Sequence, residues 1–323
     1  MKRTVMMVAI MTALNADSEL FSIVNDYRNN DINSVKNKLD KQLTNQKYWE
    51  YILSNKNTDF GYYEDIKYIF IATKNNKKLK LINLDSNNII ESDALFGENQ
   101  NDKFVQGDLA TPIGVYDLSN KLQNLDQYYG PLAFATSYPN LYDKLNKKTG
   151  YGIWIHGLPL NGDRTEKNTK GCIAINNSLL KQYDASINYK QAILITSFEN
   201  IEIVSKTTLA KILKNLFIWK EAWTKNDLDS YLSFYNADFS RFDGMKLKAF
   251  TKFKEKIFSK NENKIIVFKN ISISPYPNTQ NKTMYRIKFL EEYKSLSTKY
   301  QFNGIKELYI SMDDGKMSIL AEK

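Results

Sequence analysis

His156 and Cys172 are the one histidine and the one cysteine of the 323-residue chain, 16 positions apart in YGIWIHGLPLNGDRTEKNTKGCIAINN, residues 151–177. The thiolate is the nucleophilic form of cysteine, and a free thiol is only partly ionised near neutral pH. A nucleophilic cysteine therefore needs a base or cation within hydrogen-bonding reach, and His156 is the single imidazole on offer. The chemistry open to such a pair is acyl transfer: Cys172 attacks a carbonyl, and His156 takes the thiol proton and later returns it to the leaving amine. The imidazole must be held in one tautomer, and the adjacent Gly157 carbonyl is the natural acceptor for its other ring N–H. Backbone N–H groups of Gly171 and Cys172 are candidates for holding a tetrahedral oxyanion. The plain alternative for a lone thiol is a small buried apolar group. A structural metal site is disfavoured, because one Cys and one His with no second pair at ligand spacing are too few ligands.

The elements that must position this pair read as strands. YGIWIH (151–156) ends at His156, GCIAIN (171–176) starts beside Cys172 with Ile173 and Ile175 alternating, and a polar loop joins them. Two adjacent strand ends would bring the side chains together, and a long polar loop suits a substrate-binding edge. Further strands are expected at 67–73, 78–84, 113–118 and 191–197, so this block reads as mainly β. Residues 17–65 read as helical, with an Asp17-Ser18 cap and apolar Ile32, Val35, Leu39 and Leu43 at helical spacing. From Thr207 a helical pattern runs to Phe239, with a further helix at 246–258. Strands follow at 264–274, 283–291, 296–302 with 305–312, and 315–321, punctuated by Pro275, Pro277 and Asp314-Gly315. The fold class is therefore α+β and multidomain. The expected division is 1–16, 17–65, 66–205 and 206–323.

Composition agrees with a folded protein: 42% hydrophobic and 25% charged residues. The start, MKRTVMMVAIMTALNADSEL, has a Lys2-Arg3 head, a short apolar run and a small residue at Ala16, the plan of a signal peptide. No later stretch approaches the roughly twenty apolar residues of a membrane span, so stable membrane insertion is not expected. The formal charge is +9, and residues 208–323 carry 21 Lys+Arg against 13 Asp+Glu. Such a bias suits anionic polymers or surfaces, but solvated lysines explain it more simply, and no nucleic-acid partner is expected.

His156-Gly157 followed by Thr169-Lys170-Gly171-Cys172-Ile173 resembles the motif of the L,D-transpeptidase catalytic domain of the YkuD type. GDLATPIGVYDL (107–118) and SYPNLYDKLNKKTGYGIWIHGLP (137–159) extend the resemblance, which covers about residues 66–197. It implies that Cys172 is the nucleophile, His156 the general base and then acid, and Gly157 the orienting carbonyl. Trp154, Thr169, Lys170 and Gly171 would line the substrate cleft, with no metal and no cofactor. The family pattern often has His at 170 and Arg or Asn at 174. This chain has Lys170 and Ala174, the latter resembling a Gly-Cys-aliphatic-Ala variant with a following Asn177.

IWKEAWTKNDLDSYLSFYNADF (218–239) resembles the opening helices of an NTF2-like domain. The whole arrangement is similar to murein L,D-carboxypeptidases that set helical cell shape in some Gram-negative bacteria. The resemblance implies a periplasmic enzyme with peptidoglycan as its partner, removing terminal D-Ala from murein tetrapeptide stems. An amine acceptor in place of water would make it an L,D-transpeptidase, and a non-catalytic murein-binding scaffold is a third reading. A homodimer is left open. In the C-terminal domain, Trp219, Trp223, Tyr231 and Tyr235 are expected in the helix-to-sheet core. Lys264, Lys269, Arg286 and Lys288 are expected to meet glycan or peptide stems.

Overall fold

The computed structural model describes residues 20–162 and 165–323, so the leader expected at 1–16 lies outside the described residues. Helix α1 covers residues 20–29, α2 Ile32–Leu43 and α3 Gln46–Leu53. Asp31 and Asn45 cap the latter two by accepting the backbone N–H groups of Ser34 and Lys47. The helical reading of 17–65 stops there. After α3 the chain turns into a two-residue strand, β1 (Tyr62–Tyr63), whose partner lies more than 200 residues away.

The middle of the chain forms an eight-stranded sheet from β2 (Tyr68–Thr73), β3 (Lys78–Asn83), β4 (Ile89–Asp93), β5 (Gly114–Leu122), β6 (Ala133–Thr136), β7 (Trp154–His156), β8 (Ile173–Ala174) and β9 (Ala192–Ser197). Its order is β4-β3-β2-β9-β5-β6-β7-β8, antiparallel except at β2/β9 and β7/β8. The central strands YIFIAT and AILITS are apolar without alternation because both faces are covered. One face packs Phe70, Phe134 and Leu194 against Tyr183 of α5 (Asn177–Ser186). The other carries Ile69, Ile71, Val115, Ile193 and Ile195 onto Tyr276, Met284 and Tyr309 of the following domain, beside α4 (Leu141–Leu145). β4 and β6 escape a reading based on alternation, and the strands expected at 151–156 and 171–176 shrink to three and two residues.

The C-terminal domain begins with α6 (Lys206–Lys225), capped by Ser205 and ended by Asn226 in the left-handed region at φ 59°. It continues through α7 (Leu228–Leu232), β10 (Tyr235–Arg241), α8 (Leu247–Phe258), β11 (Lys264–Pro275), β12 (Met284–Ser295), β13 (Gln301–Asp313) and β14 (Lys316–Glu322). The helical pattern read up to Phe239 thus breaks at Tyr235, where the chain pairs in parallel with β14. The strand expected at 296–302 is mostly the turn between β12 and β13. The sheet order is β1-β11-β12-β13-β14-β10.

Trp49, Leu53 and Tyr62 enter the core of this domain beside Leu213, Leu216 and Phe217 of α6. The amino-terminal segment is therefore packed with the last domain in sequence. Trp219, Trp223, Tyr231 and Tyr235 lie in the same core. Arg286 and Lys288 line clefts at the boundary with the catalytic sheet. Both bond to Asp117 of β5 across the domain boundary, while Lys264 holds Asn226 and Lys269 pairs with Glu292.

Candidate active site

Parallel pairing of β7 with β8 sets the site: Ile155 lies opposite Ile173 and His156 opposite Ala174. The same register, extended back by one residue, brings Trp154 to Cys172. The Trp154 N–H points at Cys172 Sγ at 3.4 Å, and the S–H donates to the Gly152 carbonyl at 3.3 Å. Residues two apart on a strand share a face, so Trp154 and His156 point the same way. Cys172 and His156 line one cleft of about 460 Å³, together with Lys103, Tyr129, Tyr151 and Lys170.

His156 is buried, and its Nδ1 lies 2.7 Å from the Gly157 carbonyl oxygen. A carbonyl can only accept, so Nδ1 carries the hydrogen and Nε2 keeps the lone pair that can take a proton. Tyr129 sets its ring against both His156 and Trp154, at centroid distances of 5.2 and 5.1 Å. Its carbonyl also accepts the Gly157 N–H at 2.9 Å. A Cβ at Gly157 would stand 2.1 Å from Asn177 Oδ1 and 2.9 Å from Pro131 Cδ, so only glycine fits. Asn177 accepts from the Leu158 N–H at 2.8 Å and donates to the Leu158 carbonyl at 2.9 Å, tying the loop after His156 to the start of α5.

Thr169 fixes the backbone of Gly171 and Cys172. Its hydroxyl donates to the Cys172 carbonyl at 2.6 Å and accepts the Gly171 N–H at 3.1 Å. The Gly171 N–H expected to hold an oxyanion is therefore spent on Thr169, which leaves the Cys172 N–H of that pair. Gly171 sits at φ +128°, where an added Cβ would also press on the Ala110 carbonyl at 2.9 Å.

Burial pushes the Cys172 thiol up to about 11, outweighing the Trp154 N–H and the positive charge of Lys103, which both favour the thiolate. Cys172 therefore rests as a neutral thiol near neutral pH, one that a base has to deprotonate before it can attack. Lys103 is itself tied down, at 2.6 Å from Asp108 Oδ1 and 3.2 Å from the Val105 carbonyl. Burial raises the Asp108 carboxyl, but Lys103 and the N–H groups of Phe104, Val105 and Ala110 overcome that and hold it at about 2.

Among the expected cleft residues, Lys170 is exposed on the wall and Thr169 and Gly171 are buried beneath it. Trp154 contributes its backbone N–H, while its ring packs on Tyr129. Lys103, Tyr129 and Tyr151 were not singled out from the sequence, although Tyr151 stands between two glycines directly before β7. Among the described residues no group of three or more His, Cys, Asp or Glu is placed to hold a metal ion.

Comparison with known proteins gives two family matches: the L,D-transpeptidase catalytic domain, YkuD, over residues 66–192, and the Cds6 C-terminal NTF2-like domain over residues 211–323. No curated protein matches. Similar solved structures include the helical cell shape determining protein Pgp2 from Campylobacter jejuni, at 43% identity and TM-score 0.80, covering 87% of this chain and 100% of that one. A mutant of Pgp2 gives 42% identity and TM-score 0.81, with 87% and 99% coverage. Bd1075 from Bdellovibrio bacteriovorus gives 26% identity and TM-score 0.62, with 80% and 92% coverage. With both domains matched in order and a relative of this identity covered end to end, the chain belongs to the YkuD family of cysteine-nucleophile L,D-transpeptidase-type enzymes, in the form that carries a C-terminal NTF2-like domain.

Proposed function

We propose that this protein is a periplasmic L,D-carboxypeptidase that removes terminal D-Ala from murein tetrapeptide stems and so takes part in setting cell shape. The observation that carries the chemistry is the single cleft shared by Cys172 Sγ and His156, whose Nδ1 is pinned by Gly157. The YkuD match supports peptidoglycan as the polymer, and the end-to-end similarity to a helical cell shape determining protein supports the role in shape. Catalysis is assigned to residues 66–205, with 206–323 as the NTF2-like unit and 17–65 as a separate amino-terminal segment.

In this reading the scissile carbonyl, between meso-diaminopimelate and D-Ala, enters beside Cys172. Substrate displaces water from the cleft, the thiol proton passes from Sγ to His156 Nε2, and the sulfur attacks the carbonyl carbon. The Cys172 N–H is the donor for the developing oxyanion. Collapse breaks the C–N bond, the D-Ala amine departs with the proton held by His156, and a thioester remains. Water, deprotonated by His156, then attacks the thioester, and the thiol leaves protonated with the tripeptide acid as product. Thr169 acts by holding Gly171 and Cys172 in place, and Trp154 and Lys170 border the acyl chain. The two-domain arrangement supports water over an amine as acceptor.

Mass-resolved chromatography of purified tetrapeptide muropeptides incubated with the mature protein, beside Cys172→Ala, tests this. Tripeptide and D-Ala, absent with the variant, are expected. Cross-linked dimers would replace the carboxypeptidase by an L,D-transpeptidase, and unchanged muropeptides would leave a binding scaffold.

A further inference from the structure

Tyr151 on the rim of the cleft and Phe104 on a neighbouring loop expose aromatic rings outside the hydrophobic core. Tyr151 is 76% exposed and Phe104 54% exposed. The loops are stitched together: the Thr149 N–H donates to the Phe104 carbonyl at 2.8 Å, and the Gln106 N–H to Thr149 Oγ1 at 3.1 Å. Phe104 and Val105 are held from below by their N–H groups on Asp108 Oδ2, at 2.7 and 3.0 Å. The exposed rings therefore stand on a fixed base.

Tyr151 sits between Gly150 at φ +104° and Gly152 at φ +71°. Those are backbone angles that side-chain-bearing residues rarely adopt. Gly152 is also the residue whose carbonyl receives the Cys172 S–H, so the aromatic is one residue from an atom that touches the nucleophile. Tyr151, Gln106 and Cys172 border the same cleft, which makes the rim continuous with the catalytic groove. An exposed aromatic patch bordering a cleft marks a contact surface, and Tyr offers a rigid apolar ring with a polar tip.

We infer that Tyr151 forms a sugar subsite that stacks against a ring of the glycan carrying the stem peptide. This rests on the reading of the cleft as a site for murein stems. A stem is covalently tied to an aminosugar, so a sugar ring must lie within a few residues' reach whenever the stem occupies the cleft. The C–H face of such a ring is apolar and matches an aromatic face, while its hydroxyl and amide groups need polar neighbours of the kind Gln106 supplies. The subsite makes the enzyme prefer stems still attached to glycan over free peptides.

The test is calorimetric binding to full-length Cys172→Ala protein of two ligands with the same tetrapeptide, one bearing the disaccharide and one without sugar. The disaccharide ligand is expected to bind about tenfold tighter, in the range of a single aromatic contact. Tyr151→Ala should abolish that difference by weakening the disaccharide ligand the more, while Tyr151→Trp should retain it. Equal affinities in the parent protein, or equal weakening of both ligands by Tyr151→Ala, would overturn the subsite alone. Binding of neither ligand would overturn the murein-stem reading, and the subsite with it.

Discussion

Arg286 of β12 presents Nη1 and Nη2 to the two carboxylate oxygens of Asp117 of β5, at 3.2 and 2.8 Å, while its Nε meets Glu307 at 2.7 Å. This fork is the polar bolt between the catalytic sheet and the C-terminal sheet, and Lys288 adds a third contact to Asp117 at 2.7 Å. Burial raises the Asp117 carboxyl, but Arg286 and Lys288 outweigh it and hold it well below the usual carboxylate range. Asp117→Ala leaves the buried guanidinium short of one partner and should cost about 3–5 kcal/mol in urea unfolding. Pairing it with Arg286→Met should recover much of the loss. The folded-state pKa is depressed, so this contribution is present above the unfolded value of about 3.9 and fades as pH falls through the folded one. The gap between parent and Asp117→Ala should therefore close in acid.

The neutral resting thiol makes a kinetic prediction. The pH profile of Cys172 alkylation by iodoacetamide should have its midpoint near 11 in the ligand-free protein, where the thiol is pushed by burial. Lys103→Met removes a charge that favours the thiolate and should move the midpoint higher. Reading the midpoint in place of the rate separates ionisation from access to the sulfur. A midpoint below that of a free cysteine would mean a preformed thiolate and a different resting state.

Thr169→Val removes the hydroxyl that joins the Gly171 N–H to the Cys172 carbonyl and leaves both without that partner. Two unsatisfied polar groups at a buried turn should cost about 1–3 kcal/mol of stability each. They should also misplace Sγ, lowering kcat more than they change KM. Thr169→Ser keeps the hydroxyl and should restore most of kcat. A valine variant with parental kcat would remove Thr169 from the positioning of the nucleophile.

How much of this was legible in the sequence follows the range of each interaction. His156 and Cys172 stood out because each is the only residue of its type, with β7 ending at His156 and β8 beginning one residue after Cys172. Thr169 and Gly171 were legible as a motif, but that Thr169 consumes the Gly171 N–H depends on a turn geometry that residue types do not encode. Tyr129, which borders His156, lies 27 positions before it and is recruited by the β6/β7 pairing. The Asp117–Arg286 fork joins positions 169 apart, and no local pattern links them. Tyr235–Arg241 reads as helix because Tyr231, Tyr235 and Phe239 keep helical spacing, and only parallel pairing with β14 makes it a strand. Tyr62–Tyr63 is too short to announce itself, and its partner β11 lies across the whole catalytic domain.

That last pairing changes what a truncation can reveal. Removing residues 206–323 strips β1 of β11 and uncovers Trp49, Leu53 and Tyr62, all buried in the core of the C-terminal domain. It also bares the face of the catalytic sheet bearing Ile69, Ile71, Val115, Ile193 and Ile195, now covered by Tyr276, Met284 and Tyr309. At about 1.5–3 kcal/mol for each large apolar side chain returned to water, the loss exceeds about 10 kcal/mol, which is comparable to the whole stability of a domain. A protein ending at residue 205 should therefore aggregate on expression, seen as light scattering and the absence of a cooperative thermal transition. A fragment of 66–205 should do the same for the exposed sheet face alone. A monodisperse fragment with a sharp two-state unfolding curve would show instead that the catalytic sheet closes on its own. If the fragments aggregate, failure of a truncated protein to pellet with sacculi says nothing of binding by the C-terminal domain, and point substitutions on the intact chain become the way to ask that question.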